Sequence, residues 1–271
     1  YLAPDGRASF NVAIRTVVID RQHNRATYGV GGGIVWDSEA ELEYEECFLK
    51  AQVLVQRRPS FELLETMRWT PEEGFFLLDL HLQRLAESAD YFQFALDLPQ
   101  VERLLAEEAA SFKTAMRVRL LVDRQGAVTI QAHSLALSSQ AQTIRCHLAA
   151  CPISSREVWL YHKTTNRSVY EEARAARPSA DEVILWNEAG ELTEGTIANL
   201  VLDLDGRLLT PPVTCGLLNG TLRRHLLHQG EIQEKVLGIA DLYRARKVWL
   251  INSVRGWQEV LIVEEETAYS K

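Results

Sequence analysis

The 271-residue chain has only four cysteines, Cys47, Cys146, Cys151 and Cys215, and no two of them form a CxxC pair. That usage argues against a disulfide framework or a metal site and suits the reduced thiols of a cytoplasmic protein. Positive charge is also short: 29 Lys and Arg stand against 37 Asp and Glu, a formal net charge of -8. Nothing in that balance favours a nucleic-acid partner, and a small anionic ligand would need a local cationic site. No apolar run approaches the ~20 residues that span a bilayer, and no signal peptide, repeat or low-complexity tract is evident. The chain opens at Tyr1 in a stretch that reads as the middle of a domain, so the sequence is expected to be a fragment of something longer. What is present, 46% hydrophobic and 24% charged residues, is the balance of a globular protein with room for two compact units.

The pattern predicts mixed strands and helices without a regular βαβ rhythm, hence α+β. Phe10–Asp20 and Thr27–Ser38 read as strands, the second interrupted by Gly31, Gly32 and Gly33. A helix follows, with Ser38 as its N-cap and Glu41 at the capping-box offset. The proline-containing break at 57–61 marks a domain boundary. Strands are expected at 61–69 and 75–80, helices over "HLQRLAESADYFQF" and "LPQVERLLAEEAASF", and a hairpin within 115–135. Short strands fill 181–212, a helix opens at "NGTLRR", and strand, loop and strand close the chain. The expected division is 1–56, 57–157 and 158–271.

Four sites spread over the second part fit one chemistry. Lys163 in "YHKTTNR" is one of six lysines and follows the apolar "VWLY", which would put it at the inner end of a strand. A semi-buried lysine can act as an amine nucleophile toward a carbonyl. Glu194 in "LTEGTIANL" could sit beside a ring nitrogen and keep it protonated. "GLLNGTLRR" offers a helix start at Thr221, where free N–H groups bind phosphate. Arg84 in "HLQRL" suits a bidentate phosphate contact. Taken singly, these are a loop lysine, a turn glutamate, an ordinary helix start and a surface arginine.

Their order and spacing together resemble the fold-type IV pyridoxal-phosphate enzymes, which include branched-chain and D-amino-acid aminotransferases and the aminodeoxychorismate lyases. The resemblance covers about residues 60–265 and implies a small and a large subdomain, pyridoxal 5'-phosphate as cofactor, and a homodimer with the site near its interface. It implies that Lys163 bonds the cofactor and shuttles protons and that Glu194 partners the pyridine nitrogen. Arg84, Ile197, Thr221 and Leu222 would hold the phosphate. The aminotransferases typically have a tyrosine five residues after the lysine, where Ser168 stands here. "KTTNR" resembles the lyase pattern instead, with Asn166 near the cofactor hydroxyl and Arg167 beside it. "LLETMR" supplies Thr66 at the lyase's threonine. Asn252, Ser253 and Arg255 in "INSVRGWQEV" resemble the substrate loop, and Arg255 and Arg68 are candidate carboxylate anchors. The implied reaction converts 4-amino-4-deoxychorismate into 4-aminobenzoate and pyruvate, with Lys163 as base and Thr66 or a water as acid. An aminotransferase acting on a branched-chain or D-amino acid is the alternative, and a non-enzymatic module bracing a neighbour is a third. "RRPSFELLET" departs from the family's usual "GxGxFE" start, leaving the front edge of the small subdomain open.

Residues 1–54 resemble the end of the chorismate-utilising enzymes, the family of anthranilate synthase and aminodeoxychorismate synthase component I. That implies a substrate-carboxylate site at Arg15 and Gly31–Gly33, and Mg²⁺ ligands at Glu43 and Glu46, which share a helix face, with Lys50 one turn further on. In an intact parent this would be a synthase half, with a glutamine amidotransferase as a potential partner. So short a piece is expected to be inactive toward chorismate, and its presence makes a fused lyase the natural neighbour.

Overall fold

The computed structural model describes residues 3–8, 16–55, 59–135 and 144–263. The chain divides into two units, Tyr1–Pro59 and Ser60–Lys271. The first holds an antiparallel hairpin, β1 (Thr16–Asp20) and β2 (Arg25–Gly29), and a helix, α1 (Ala40–Val55). Asn24 takes a left-handed conformation in the turn, and Asp20 Oδ1 accepts the N–H groups of Gln22 and His23. Arg15 and the first half of the expected strand Phe10–Asp20 lie outside the described residues.

Two local expectations fail here. The second strand stops at Gly29, so the glycine run is irregular; side-chain-less residues contribute little to a ladder. Ser38 does not cap α1: its hydroxyl accepts from Val35 N and donates to Glu43 at 2.7 Å. Glu43 and Glu46 do face the glycine run. A Cβ on Gly32 would lie 3.1 Å from Glu43 Oε2, and Lys50 pairs with Glu46 at 2.5 Å while donating to Gly31 O at 3.0 Å. Among the described residues no group of three or more His, Cys, Asp or Glu is gathered as a metal site.

The second unit contains two sheets. In the smaller, β3 (Leu63–Thr70) lies between β4 (Gly74–Phe75) and β5 (Met116–Val122), and β5 pairs onward with β6 (Val128–Ser134). Leu63 and Met67 on one face of β3, with Val118, Leu120 and Val122 of β5, pack against α2 (Leu78–Phe92) and α3 (Leu98–Ala109). Of the expected strand at 75–80 only Phe75 lies in a strand, the two-residue β4. Leu77, in a left-handed conformation, turns the chain straight into α2. Asp97 starts α3 by accepting the N–H of Gln100 at 3.2 Å.

The larger sheet is built from β7 (Ile144–Leu148), β8 (Glu182–Trp186), β9 (Leu192–Gly195), β10 (Asn199–Leu204), β11 (Arg207–Thr210), β12 (Gln233–Glu234), β13 (Lys247–Asn252) and β14 (Gly256–Ile262). Its order is β12-β11-β10-β13-β14-β7-β8-β9, and β9 also pairs with β10. Six strands therefore close into a ring whose seam is the Glu194–Asn199 pair. Leu192, Leu200, Leu202 and Leu250 fill its core. Because β7 pairs in parallel with both β8 and β14, the change of sheet falls between Ser134 and Ile144, ahead of residue 157. The short helices α4 (Ser168–Ala175), α5 (Thr221–His228) and α6 (Ile239–Arg244) complete the unit. The fold is α+β. No helix among the described residues is long and apolar enough to cross a membrane.

Candidate active site

Lys163 does not end a strand. "VWL" forms a single 3-10 turn, and the following residues are stitched across the start of β3. Leu64 N donates to Lys163 O at 3.0 Å, Thr165 N to Glu62 O at 2.9 Å, and Glu62 N to Thr165 Oγ1 at 2.9 Å. Backbone pairing on both sides thus fixes a lysine that sits in a loop. Its side chain lines a cavity of about 280 Å³. Burial, reinforced by the nearby guanidinium groups of Arg84 and Arg167, brings the Lys163 ammonium down to about 8. A usable fraction of free amine is then present near neutrality.

Glu194 lines the same cavity from the ring seam. Its carboxylate accepts from Tyr170 Oη at 2.8 Å, Leu218 N at 3.1 Å and Asn199 Nδ2 at 3.0 Å. None of these donors carries a charge. Burial therefore dominates and lifts the Glu194 carboxyl to about 7, with the hydrogen bonds offsetting part of the rise. A buried carboxylate without a direct cationic partner is a receptor for a cationic ring nitrogen.

Thr221 and Leu222 open α5 after Gly220, whose extended conformation starts the helix, and the first N–H groups of a helix have no partner within it. Gly220 has to lack a side chain: a Cβ there would fall 1.9 Å from Asn199 Oδ1, and Asn199 is tied to both Glu194 and Leu218 O. Arg223, fully buried, braces this turn by donating to Asn219 Oδ1 at 3.0 Å and Pro211 O at 2.7 Å. Opposite, Arg84 on α2 lines the cavity but is not free. Its Nε and Nη2 form a bidentate pair with Glu65, at 2.8 and 2.6 Å. Its Nη1 and the second hydrogen of Nη2 are left for a ligand.

The cavity brings together Thr66, Arg84, Lys163, Arg167, Glu194, Ile197, Thr221, Leu222, Asn252, Ser253 and Arg255 from the sequence-predicted set. It leaves out two. Arg68 stands over the Phe76 ring at 4.4 Å and pairs with Glu73 at 3.4 Å; Asn166 accepts from Thr164 Oγ1 through its backbone carbonyl at 3.3 Å. Neither lines the wall. Ser168 begins α4 and is exposed. Among the lining residues that sequence reasoning missed are two cations, Arg117 and Arg119 on β5, and Tyr170 and Asn199 beside Glu194. Arg119 pairs across the ladder with Thr66 and Arg117 with Arg68, so all four share one face of the sheet. The alternation in "MRVRLLV" was the available signal. Glu65 and His81, behind the wall, were also missed. In a chain of net charge -8, six cationic side chains around one buried acid make this cavity a local site for an anion.

The model of the aminotransferase class IV family matches residues 62–263. The chain belongs to that family. A second model, that of the chorismate-binding enzymes, matches residues 1–56. A Schizosaccharomyces pombe protein named "Putative aminodeoxychorismate lyase" is 32% identical, over 76% of this chain and 92% of its own. The Saccharomyces cerevisiae "Aminodeoxychorismate lyase" is 26% identical, over 71% of this chain and 69% of its own. The crystal structure of a "Putative amino-acid aminotransferase" from Mesorhizobium loti superimposes with a TM-score of 0.69 at 40% identity, over 75% of this chain and 100% of its own. This class IV, fold-type IV family depends on pyridoxal phosphate. The residues present fit that group: an amine of lowered pKa, an uncompensated buried carboxylate and a helix start share one cavity.

Proposed function

We propose that the class IV unit is a pyridoxal-phosphate-dependent lyase that converts 4-amino-4-deoxychorismate into 4-aminobenzoate and pyruvate, and that it forms part of a bifunctional synthase–lyase. The observation that carries this reading is the joint placement of Lys163, Glu194 and Thr66 in one cationic cavity, in a chain related to named lyases. Lys163 and Glu194 would hold the cofactor's two ends of reactivity, and Arg84, Ile197, Thr221 and Leu222 its phosphate. When bound, the cofactor supplies an electron sink for the carbanion next to the substrate nitrogen.

The remaining work falls to the chain itself. Glu194 would face the cofactor's ring nitrogen and keep it protonated. Lys163 Nζ, a free amine through much of its range above about 8, takes the proton from the substrate C4. The Thr66 hydroxyl lies on the cavity face of β3 and passes a proton to the departing enolpyruvyl oxygen, and the proton that Lys163 took from C4 makes good the loss. The substrate has two carboxylates, and Arg117, Arg119 and Arg255 are the wall cations available to them. Asn252 Oδ1 accepts from Arg255 N at 2.8 Å and so shapes the loop that presents Arg255.

The second reading is an amino-acid aminotransferase, favoured by the 40% identity to the Mesorhizobium loti protein. The exposed Ser168 in place of the expected tyrosine weighs against it. Incubating the purified chain with 4-amino-4-deoxychorismate should release fluorescent 4-aminobenzoate, and Lys163→Ala should abolish it. In the wild type the rate should rise with pH as the Lys163 amine, lowered by burial, Arg84 and Arg167, loses its proton, and then level off, because the amine must be neutral. Amino transfer to 2-oxoglutarate without 4-aminobenzoate release would establish the second reading instead. The family's dimers suggest a homodimer here.

A further inference from the structure

Behind the cavity wall runs a buried chain of hydrogen bonds through His81 and Glu65, two residues given no role in the reaction just described. His81 Nδ1 lies 2.6 Å from Glu65 Oε2, and His81 Nε2 lies 3.3 Å from Thr221 Oγ1. His81, Glu65, Arg84 and Thr221 are all buried. Glu65 stays ionised: burial acts to raise its carboxyl, but Arg84 and His81 outweigh that and hold it at about 2. A carboxylate only accepts, so His81 Nδ1 must carry a hydrogen and donate it to Glu65.

The state of Nε2 then decides what Thr221 can do. If the imidazole is neutral, Nε2 is a bare acceptor and the Thr221 hydroxyl donates to it, which leaves only oxygen lone pairs facing the cavity. A phosphate oxygen would meet those lone pairs unfavourably. If the imidazole is protonated, Nε2–H donates to Thr221 Oγ1, and the hydroxyl hydrogen is released toward the cavity. The charge count favours the same outcome. Glu65 neutralises Arg84 through both its Nε and Nη2, so a proton gained by His81 adds a positive charge on the Arg84 side of the wall. The groups facing His81 are Glu65 from β3, Arg84 from its own helix, Lys163 from the loop and Thr221 from α5.

Resting on the reading that this cavity takes pyridoxal phosphate, we propose that His81 is a positioning residue for the phosphate: binding of the dianion draws a proton onto His81, which turns the Thr221 hydroxyl from a donor to histidine into a donor to the ligand. In the free protein, burial first, then Arg84 and Lys163, hold the imidazole below its ordinary value against the pull of Glu65. It therefore starts neutral at pH 7 and above. A dianion bound nearby raises it, so the sign is proton uptake on binding, and affinity for a phosphate ligand falls as pH rises.

The test is calorimetry on the full chain stripped of cofactor, at pH 7.5, in two buffers of different ionisation enthalpy. The probes are pyridoxine 5'-phosphate, which lacks the aldehyde that would react with Lys163, and pyridoxine. Wild type should take up about one more proton with the phosphate ester than with pyridoxine, and its affinity for the ester should fall by up to about tenfold per pH unit relative to a non-titrating variant. His81→Asn keeps a donor toward Glu65 and should lose that extra proton. Thr221→Ala leaves His81 in place, removes the relaying hydroxyl, and should lose it as well. Equal proton counts for the two ligands in wild type, or an undiminished excess in both variants, overturns the proposal. Failure of wild type to bind either compound would overturn the cofactor reading itself and this inference with it.

Discussion

Glu65 and Glu194 are both buried carboxylates, one behind the cavity wall and one lining it, and their surroundings drive them in opposite directions. Glu65 meets a bidentate arginine and a histidine and is held at about 2. Glu194 meets a phenol, an amide and a backbone N–H and is lifted to about 7. The first is a finished structure, its charge already matched. The second is unfinished: its direct donors are all neutral, and Lys163 and Arg167 pull its value down from nearby without pairing with it. A binding site differs from a structural ion pair in that incompleteness, since a cationic ligand group can supply what the protein withholds.

Removing the matched charge should have the largest effect. Glu65→Gln would leave Arg84 buried without its partner, which should cost about 3–5 kcal/mol of stability in urea unfolding. The wild type should show the same dependence by pH. The folded value of Glu65 lies below the ordinary carboxylate value of 4.5, so its contribution is complete above 4.5 and is lost as pH falls toward 2, an amount of about 3 kcal/mol. A loss below about 1 kcal/mol in the variant would mean the pair is not what holds β3 to α2.

Glu194→Gln should act the other way. The folded value of Glu194 lies above 4.5, so its contribution is complete below 4.5 and is lost as pH rises through 7. At pH 8 the ionised group is a burden, and the variant free of cofactor should be more stable than wild type by ~1–3 kcal/mol. Activity should fall on the order of a hundredfold, because the ring nitrogen loses the acid that keeps it protonated. A variant that is destabilised at pH 8 yet fully active would erase the contrast between the two sites.

The contrast also separates what the sequence could and could not disclose. Lys163, Glu194, Arg84 and Thr221 are each carried by a local motif, and the cavity collects all four. The α+β class and most helices followed from periodicity. Glu65 and His81 are isolated letters in "LLETMR" and "DLHLQ", and only tertiary packing brings β3, α2 and α5 together around them. Arg117 and Arg119 were visible as an alternation, but which sheet face meets the cavity depends on the strand pairing. The loop around Lys163 misled in another way: an apolar "VWLY" suits a strand, yet it closes on itself in a 3-10 turn, and Lys163 and Thr165 just after it take their backbone partners from Glu62 and Leu64, contacts that local periodicity does not announce.

Tyr170→Phe should produce the smallest effect and tests the neutral shell alone. It deletes one of the three donors to Glu194, the 2.8 Å contact from the phenol, and leaves Leu218 N and Asn199 in place. A donor to a carboxylate stabilises the charged form more than the protonated one. The loss should therefore be about 1 kcal/mol at pH 8.5, where Glu194 is ionised, and close to nothing at pH 5.5. Glu194 should titrate still further above 4.5. Unfolding in urea at the two pH values measures this asymmetry. Equal losses at both would mean that Tyr170 serves only to pack α4 against the ring, and that Glu194 is held by burial and backbone without its help.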